Sequence, residues 1–243
     1  MSFSRGVVAM RVGAATSVGR VRETNEDAFW VGEHCLVVCD GMGGHQGGEI
    51  ASQMAVDVIR NYDFLMKEPR EEIRSAIQQA HETIRDAADS HDHLRGMGTT
   101  LTMCLFVPNQ HGVQMFIGHV GDSRAYIHTH DQLQQMTSDH SVVGELLRQG
   151  SLAPDEAAVH PKRHILSQAL GVGIIEVELI ECYLPKGSKV LLCTDGLTDV
   201  VGDDELKEVM HLHSPEDIAH ELVRRANDLG GPDNITVIVA EPS

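Results

Sequence analysis

The chain opens with short apolar runs. "GVVAMRVGAAT" (6–16), "DAFWV" (27–31) and "CLVVCD" (35–40) each predict a strand. The period then changes to that of a helix. Over 47–62, Ile50, Met54, Ala55, Val58, Ile59 and Tyr62 share one face, and over 70–88 so do Ile73, Ile77, Ala80 and Ile84. Strand patterns return in "TTLTMCLFV", "GVQMFIGHV", "SRAYIH" and "QLQQMT". The connections "PNQHG", "GD" and "HDQ" are short enough to join antiparallel neighbours.

Regularity is lost over 140–165, where a short helix in "SVVGELLRQG" precedes "LAPDEAAVHPKRH". Strands "IEVELIECYL" and "SKVLLCTD" lead to helices near 203–211 and 215–229, and "NITVIVA" closes the chain as a strand. The last helix is punctuated by Ser214 as cap, Pro215 in its first turn and Gly230-Gly231 as stop. Helices in pairs between runs of tightly joined strands predict an α+β fold with antiparallel sheets. A parallel sheet would need a helix between nearly every two strands. With no linker, repeat or low-complexity tract, residues 1–243 read as one domain.

Charge narrows the partners. Against 19 basic residues stand 36 acidic ones, a formal −17, which repels nucleic acid and anionic membrane. No apolar run approaches the roughly 20 residues of a membrane helix, and the start lacks a secretory leader, so a cytoplasmic protein is expected. Cys35, Cys39, Cys104, Cys182 and Cys193 are odd in number and form no C-x-x-C pair. They read as reduced core residues, not as disulfides or a zinc site.

The candidate chemistry lies where strands end. "LVVCDGM" (36–42) and "KVLLCTDGL" (189–197) share one grammar, an apolar strand followed by Asp-Gly, and "GGPDNITVIVA" reverses it. If these strands are neighbours, Asp40, Asp195 and Asp233 converge at one rim of a sheet. Three carboxylates so close must either take up protons or hold cations. Oxygen donors select Mg²⁺ or Mn²⁺ over zinc. Gly41 and Gly196, lacking Cβ, would let a carbonyl approach an ion, although Asp-Gly is also the common turn after a strand. The glycine loop is no nucleotide cradle: no Lys follows it, and the G-x-G-x-x-G register from Gly41 meets Gln46. Upstream, Glu26 and Asp27 add acid, and Arg22 offers a bidentate clamp for phosphate.

"VRETNEDAF", "VVCDGMGGHQGGEIAS", "GMGTTLT", "GHVGDSRAYI", "TSDHS", "HPKRHILSQALG", "LLCTDGLTD" and "GPDNITVIV" follow one another over residues 19–240. In identity and order they resemble the motifs of the type 2C metal-dependent (PPM) Ser/Thr protein phosphatases, in their compact single-domain bacterial form. That resemblance implies a four-layer αββα sandwich, with two central antiparallel sheets flanked by helix pairs and a flap at about 140–165. It implies two Mn²⁺ or Mg²⁺ ions bridged by Asp40, with the Gly41 carbonyl, Asp195 and Asp233 as further ligands, and Glu26 and Asp27 acting through water. Asp122 would share a third, weaker ion with Asp195, and Arg22 would grip the substrate phosphate.

The implied reaction is attack of a metal-activated water on phosphoserine or phosphothreonine in proteins, with no phospho-enzyme. Its setting would be a monomer reversing a Ser/Thr kinase. None of the five cysteines has Arg six positions later, which excludes the thiolate route of tyrosine phosphatases. Met42 stands where many eukaryotic relatives carry a candidate acid His, leaving His45 or a water to protonate the leaving group. His160 and His164, in the flap, would meet substrate, and "SHDH" (90–93) reads as an exposed loop. Two alternatives stay open, a non-catalytic phosphoprotein-binding relative and a metal phosphoesterase for small molecules.

Overall fold

The computed structural model describes residues 8–44, 46–110, 112–153, 156–157 and 160–243. One sheet contains β1 (Met10–Ser17), β7 (Arg124–Thr129), β8 (Gln132–Gln135), β10 (Lys189–Cys193) and β11 (Ile235–Pro242), in the order β1-β11-β10-β7-β8. The second contains β2 (Asp27–Val31), β3 (Cys35–Met42), β5 (Leu101–Asn109), β6 (Gly112–Val120) and β9 (Glu178–Leu184), in that order, with β4 (Gly98–Thr99) paired to the end of β3. Every ladder is antiparallel. Helices α1 (Gly47–Asn61) and α2 (Pro69–Ser90) cover the second sheet. The first sheet is covered by α4 (Asp195–Thr198), α5 (Asp203–Val209) and α6 (Pro215–Asp228), while α3 (Val142–Arg148) lies in the 140–165 segment.

Strand periodicity builds these layers. Along β3, Val37 and Cys39 face α1 and α2, whereas Leu36 and Val38 face the other sheet. Along β10, Leu191 and Cys193 face α4–α6, whereas Val190 and Leu192 face inward. Phe106, Met115, Ile117 and Ile238 complete the middle layer. Such strands are apolar on both faces and read as continuous runs.

Several boundaries depart from the sequence reading. β3 runs on through Gly41 and Met42, which pair with Thr99 and Gly98, so Asp40-Gly41 is strand and not a turn. "SKVLLCTD" ends as strand at Cys193, and Asp195 opens the single turn α4. "TTLTMCLFV" is split at Thr100. On α1 the buried face is rotated. Ala51, Ala55, Val56 and Ile59 are buried, while Ile50, Met54, Val58 and Tyr62 are half-buried at its flank. Small residues let the helix lie close on β3, and the larger side chains fill its edge. The caps hold as expected: Ser214 Oγ accepts from the Asp217 amide, and Ser141 Oγ does the same for Gly144 on α3. Among the described residues no helix is long and apolar enough to cross a membrane.

Leu192, fully buried between the sheets, tests this layering. Leu192→Ala should lose about 2–5 kcal/mol in denaturant unfolding of the chelated protein. Leu229→Ala, at a half-exposed position, should stay within about 0.5 kcal/mol.

Candidate metal centre

At one end of the sandwich, the end of β3, the starts of β2, β7 and β11 and the first turn of α4 bound a cavity of about 620 Å³. Asp40, Asp122, Asp195 and Asp233 line it together with Arg22, Glu26 and the Gly41 backbone. The convergence expected from sequence is therefore present, but its location differs. Asp40 belongs to the second sheet, and Asp195 and Asp233 flank adjacent strands of the first. The cluster forms between two sheets and not along one rim.

Polar side chains tie the two sheets together there. Asn234 Oδ1 accepts from the Glu26 amide at 2.8 Å, and its Nδ2 donates to the Val18 and Thr24 carbonyls. Thr194 Oγ1 donates to Asp27 Oδ2 at 2.9 Å and accepts from the Thr236 amide at 3.0 Å. On the β3 side, the Asp40 amide donates to Thr100 Oγ1, and the Asp40 carbonyl accepts from Thr99 Oγ1 and the Thr100 amide, each at 2.9 Å.

The glycines after the two aspartates have a cause that the sequence reading did not contain. A Cβ on Gly41 would lie 2.0 Å from the Gly48 carbonyl oxygen at the start of α1, and one on Gly196 would lie 1.9 Å from the Asn234 carbonyl oxygen. Close backbone crossings require both residues, whether or not an ion is present.

The electrostatics ask for positive charge. Burial, then the charges of Asp27, Asp195 and Asp122, hold the Asp40 carboxyl well above the usual carboxylate range. Asp122 is raised for the same kind of reason, by burial and then Asp195. Asp195 is pushed up to about 6 by burial and then by Asp199. The carboxyls of Asp40 and Asp195 act on each other as well as being buried. The Oδ1 atoms of Asp195 and Asp27 are sealed from water and have no hydrogen-bond partner. An all-oxygen lining of carboxylates and backbone, with a buried Asp195 oxygen left unpaired, fits a hard divalent cation such as Mn²⁺ or Mg²⁺.

Other expected residues separate. Glu26 lines the cavity, whereas Asp27 stands behind the wall with its Oδ2 turned to Thr194. Arg22 is half-exposed at the rim and donates through Nη2 to Asp233 Oδ2 at 2.8 Å, while Asp233 Oδ1 accepts from the Asn234 amide. His45 lies outside the described residues. His164 is on the wall, its Nδ1 3.4 Å from Asp199 Oδ2, and His160 is not. Asp199 and Arg163 also line the cavity, and the sequence reading gave neither a role. A signal for Asp199 existed in "TDGLTD", where it stands one helical turn after Asp195.

Residues 16–229 match the family model described as Protein phosphatase 2C.

The chain belongs to the protein phosphatase 2C family.

Two relatives of the same kind frame that membership. The chain is 36% identical over 243 residues to Serine/threonine protein phosphatase PstP of Mycobacterium tuberculosis, a match covering 98% of this chain and 46% of that protein. It thus spans about half the length of that relative. It is 38% identical to Serine/threonine phosphatase stp of Listeria welshimeri, with 93% of each covered. Among solved structures, the catalytic domain of PstP in complex with two manganese ions superposes with a TM-score of 0.89, at 33% identity, covering 98% of this chain and 99% of that one. The protein phosphatase 2C fold is therefore present nearly end to end.

The raised carboxyls predict an unusual pH response for the chelated protein. The unfolded chain releases these protons first, so stability falls as pH rises from about 4. The loss is complete past about 6 for Asp195 and about 7 for Asp27, and Asp40 and Asp122, raised well above the ordinary range, carry it to higher pH. Glu221, held down to about 2 by Arg224 and Arg225, acts in the opposite sense below its ordinary 4.5, and His81, His119, His128 and His140, all lowered by burial, act in the opposite sense up to their ordinary 6.5. In EDTA, the carboxyls should therefore contribute a drop in Tm between pH 4.5 and 7.5 (assay values, about three units apart), set against the rise that the histidines contribute. Asp195→Asn should flatten the drop, and Mn²⁺ should raise Tm more at the alkaline end. A chelated wild type whose Tm changes over that window just as that of Asp195→Asn does would rule out the strained cluster.

Proposed function

We propose that this chain is a protein-serine/threonine phosphatase that uses two Mn²⁺ or Mg²⁺ ions. The observation that carries the reading is the meeting of Asp40, Asp122, Asp195 and Asp233 in one cavity rimmed by Arg22. The names of the relatives support the substrate class, and the two manganese ions of the PstP catalytic domain support the cofactor. Asp40, the Gly41 carbonyl, Asp195 and Asp233 would hold the pair of ions, Asp122 with Asp195 a third and weaker one, and Glu26 would act through water. Asp27 supports them from behind through Thr194. Such ions, when bound, acidify a water and neutralise phosphate oxygens.

The chain's own residues supply the rest. Arg22, paired with Asp233, carries the guanidinium fork that fits a phosphate. His164, placed against Asp199, joins His45 as a proton donor for the leaving oxygen. The 140–165 segment is the flap beside the cavity, in a single catalytic domain. We further read the protein as the off-switch of a bacterial Ser/Thr kinase, acting as a cytoplasmic monomer. Five unpaired thiols suit a reducing compartment. A non-catalytic relative would be expected to lose a metal-site Asp or Arg22, and none is lost.

Phosphate release from a phosphothreonine peptide tests the reading. Wild type should require Mn²⁺, and Asp195→Asn should lose at least about 100-fold in kcat/KM. His164→Gln should slow the peptide far more than an aryl phosphate, whose leaving group needs no acid. Turnover that survives chelation would remove the acidic cavity as the active site. Faster hydrolysis of a nucleoside monophosphate than of the peptide would move the assignment to small molecules.

A further inference from the structure

Away from the carboxylates, a second polar cluster is buried where the flap leaves the body of the protein. Three successive residues at the flap root, Ser138, Asp139 and His140, each grip the β6–β7 hairpin, whose connection carries Asp122. The Ser138 carbonyl meets His119 Nε2 at 3.2 Å. Asp139 accepts two bonds from Arg124, at 2.9 and 2.7 Å. His140 holds Gly121 from both sides: its amide donates to the Gly121 carbonyl at 2.6 Å, and its Nδ1 accepts from the Gly121 amide at 3.3 Å. Gly121 sits at φ +115°, and a Cβ there would lie 2.6 Å from the Thr100 side chain, so this position admits only glycine.

The ties continue in both directions. Outward, Glu178 accepts from the Ser138 amide at 3.0 Å and its hydroxyl at 3.1 Å. Inward, Thr102 Oγ1 bridges His119 Nδ1 and the Ser123 carbonyl, and Ser123 Oγ meets Thr100 Oγ1, which holds the Asp40 amide. Hydrogen bonds through His119, Thr102, Ser123 and Thr100 therefore link the flap root to the backbone amide of Asp40.

Ligand-type atoms of His119, His140 and Glu178 lie within 4.8 Å of one another, which raises the question of a separate metal. The hydrogen bonds answer against it, because His140 Nδ1 is spent on Gly121 and both Glu178 oxygens on Ser138. The Gly121 amide donates to His140 Nδ1, so that nitrogen carries its lone pair, and burial lowers both histidines, His119 to about 3.

We propose that His140, backed by His119 and Glu178, is a positioning residue that locks the flap root to the Asp122 loop, so that flap and loop move as one body. The inference rests on the phosphatase reading only for the metal-holding role of Asp122.

Amide exchange on the metal-free protein, read over Gly121–Ser123 and over residues 142–148, tests the lock. Mn²⁺ calorimetry provides a second readout. His140→Leu removes the acceptor, whereas His140→Asn sets Oδ1 close to the place of Nδ1. In His140→Leu, exchange should rise about tenfold in both segments together. The weakest Mn²⁺ event should weaken about tenfold while the tighter ones hold. His140→Asn should stay near wild type. If His140→Leu does not fold, Glu178→Gln serves: it removes one acceptor from Ser138, and exchange at 138–140 and at Gly121 must rise together. The proposal is overturned if exchange at Gly121–Ser123 is unchanged, if the flap loosens alone, or if His140→Asn is as defective as His140→Leu. Asp122→Asn separates the two readings. A weak Mn²⁺ event that survives it would fail the metal assignment of Asp122, while the exchange result still decides the lock.

Discussion

Bringing Asp40, Asp122, Asp195 and Asp233 into one cavity is opposed by both desolvation and mutual repulsion, and the surrounding structure is arranged to impose it. The aspartates arrive from different elements: the end of β3, the β6–β7 connection, the first turn of α4 and the start of β11. No local segment could place them, and each position depends on the middle apolar layer that holds the two sheets face to face. Leu36, Val38, Phe106, Val190, Leu192 and Ile238 provide that layer. Their burial is non-directional, so it fixes the approach of the sheets without fixing the aspartates. The directional part comes from Asn234, Thr194 and Thr100, which tie backbone to backbone at the cavity end. Apolar burial supplies the free energy, and a few satisfied polar groups supply the geometry.

This division explains what could be read from the sequence. Asp40 and Asp195 stand out because an apolar strand that ends on Asp-Gly is visible in one dimension. Their assignment to different sheets is not visible. β3 and β10 are each buried on both faces, so both read as uniform apolar runs, and nothing in such a run names its partner strand. The same blindness applies to α1. Periodicity marks where large apolar residues lie, while burial followed the small Ala51 and Ala55 that allow close contact.

Residues with no periodicity were the hardest to place. His164 and Arg163 lie in a segment whose sequence has neither helical nor strand rhythm, and only the closed chain brings them to the cavity wall. Asp27 was legible as acid but not as acid turned away. Its register opposite Asp40 puts it beside the site, and the hydroxyl of Thr194 decides that its Oδ2 faces inward. The glycines teach a related lesson. Gly41 and Gly196 were recognisable as functional, yet the reason lies in the Gly48 and Asn234 carbonyls that pass them at closest approach.

Arg22 connects these points. Among the groups facing the cavity, it offsets part of the acidic charge by pairing with Asp233 at 2.8 Å, in a place open enough for the pair to exchange partners. A half-exposed ion pair contributes little to stability, about 0–1 kcal/mol. Its weakness suits the proposed role of Arg22 in binding phosphate: a guanidinium locked in a part-buried, bidentate contact, as Arg124 is on Asp139, could not turn to a substrate without leaving a part-buried charge alone. The fold thus uses one arginine in each manner, a fixed one at the flap root and an exchangeable one at the rim. The difference between them is solvent exposure rather than chemistry.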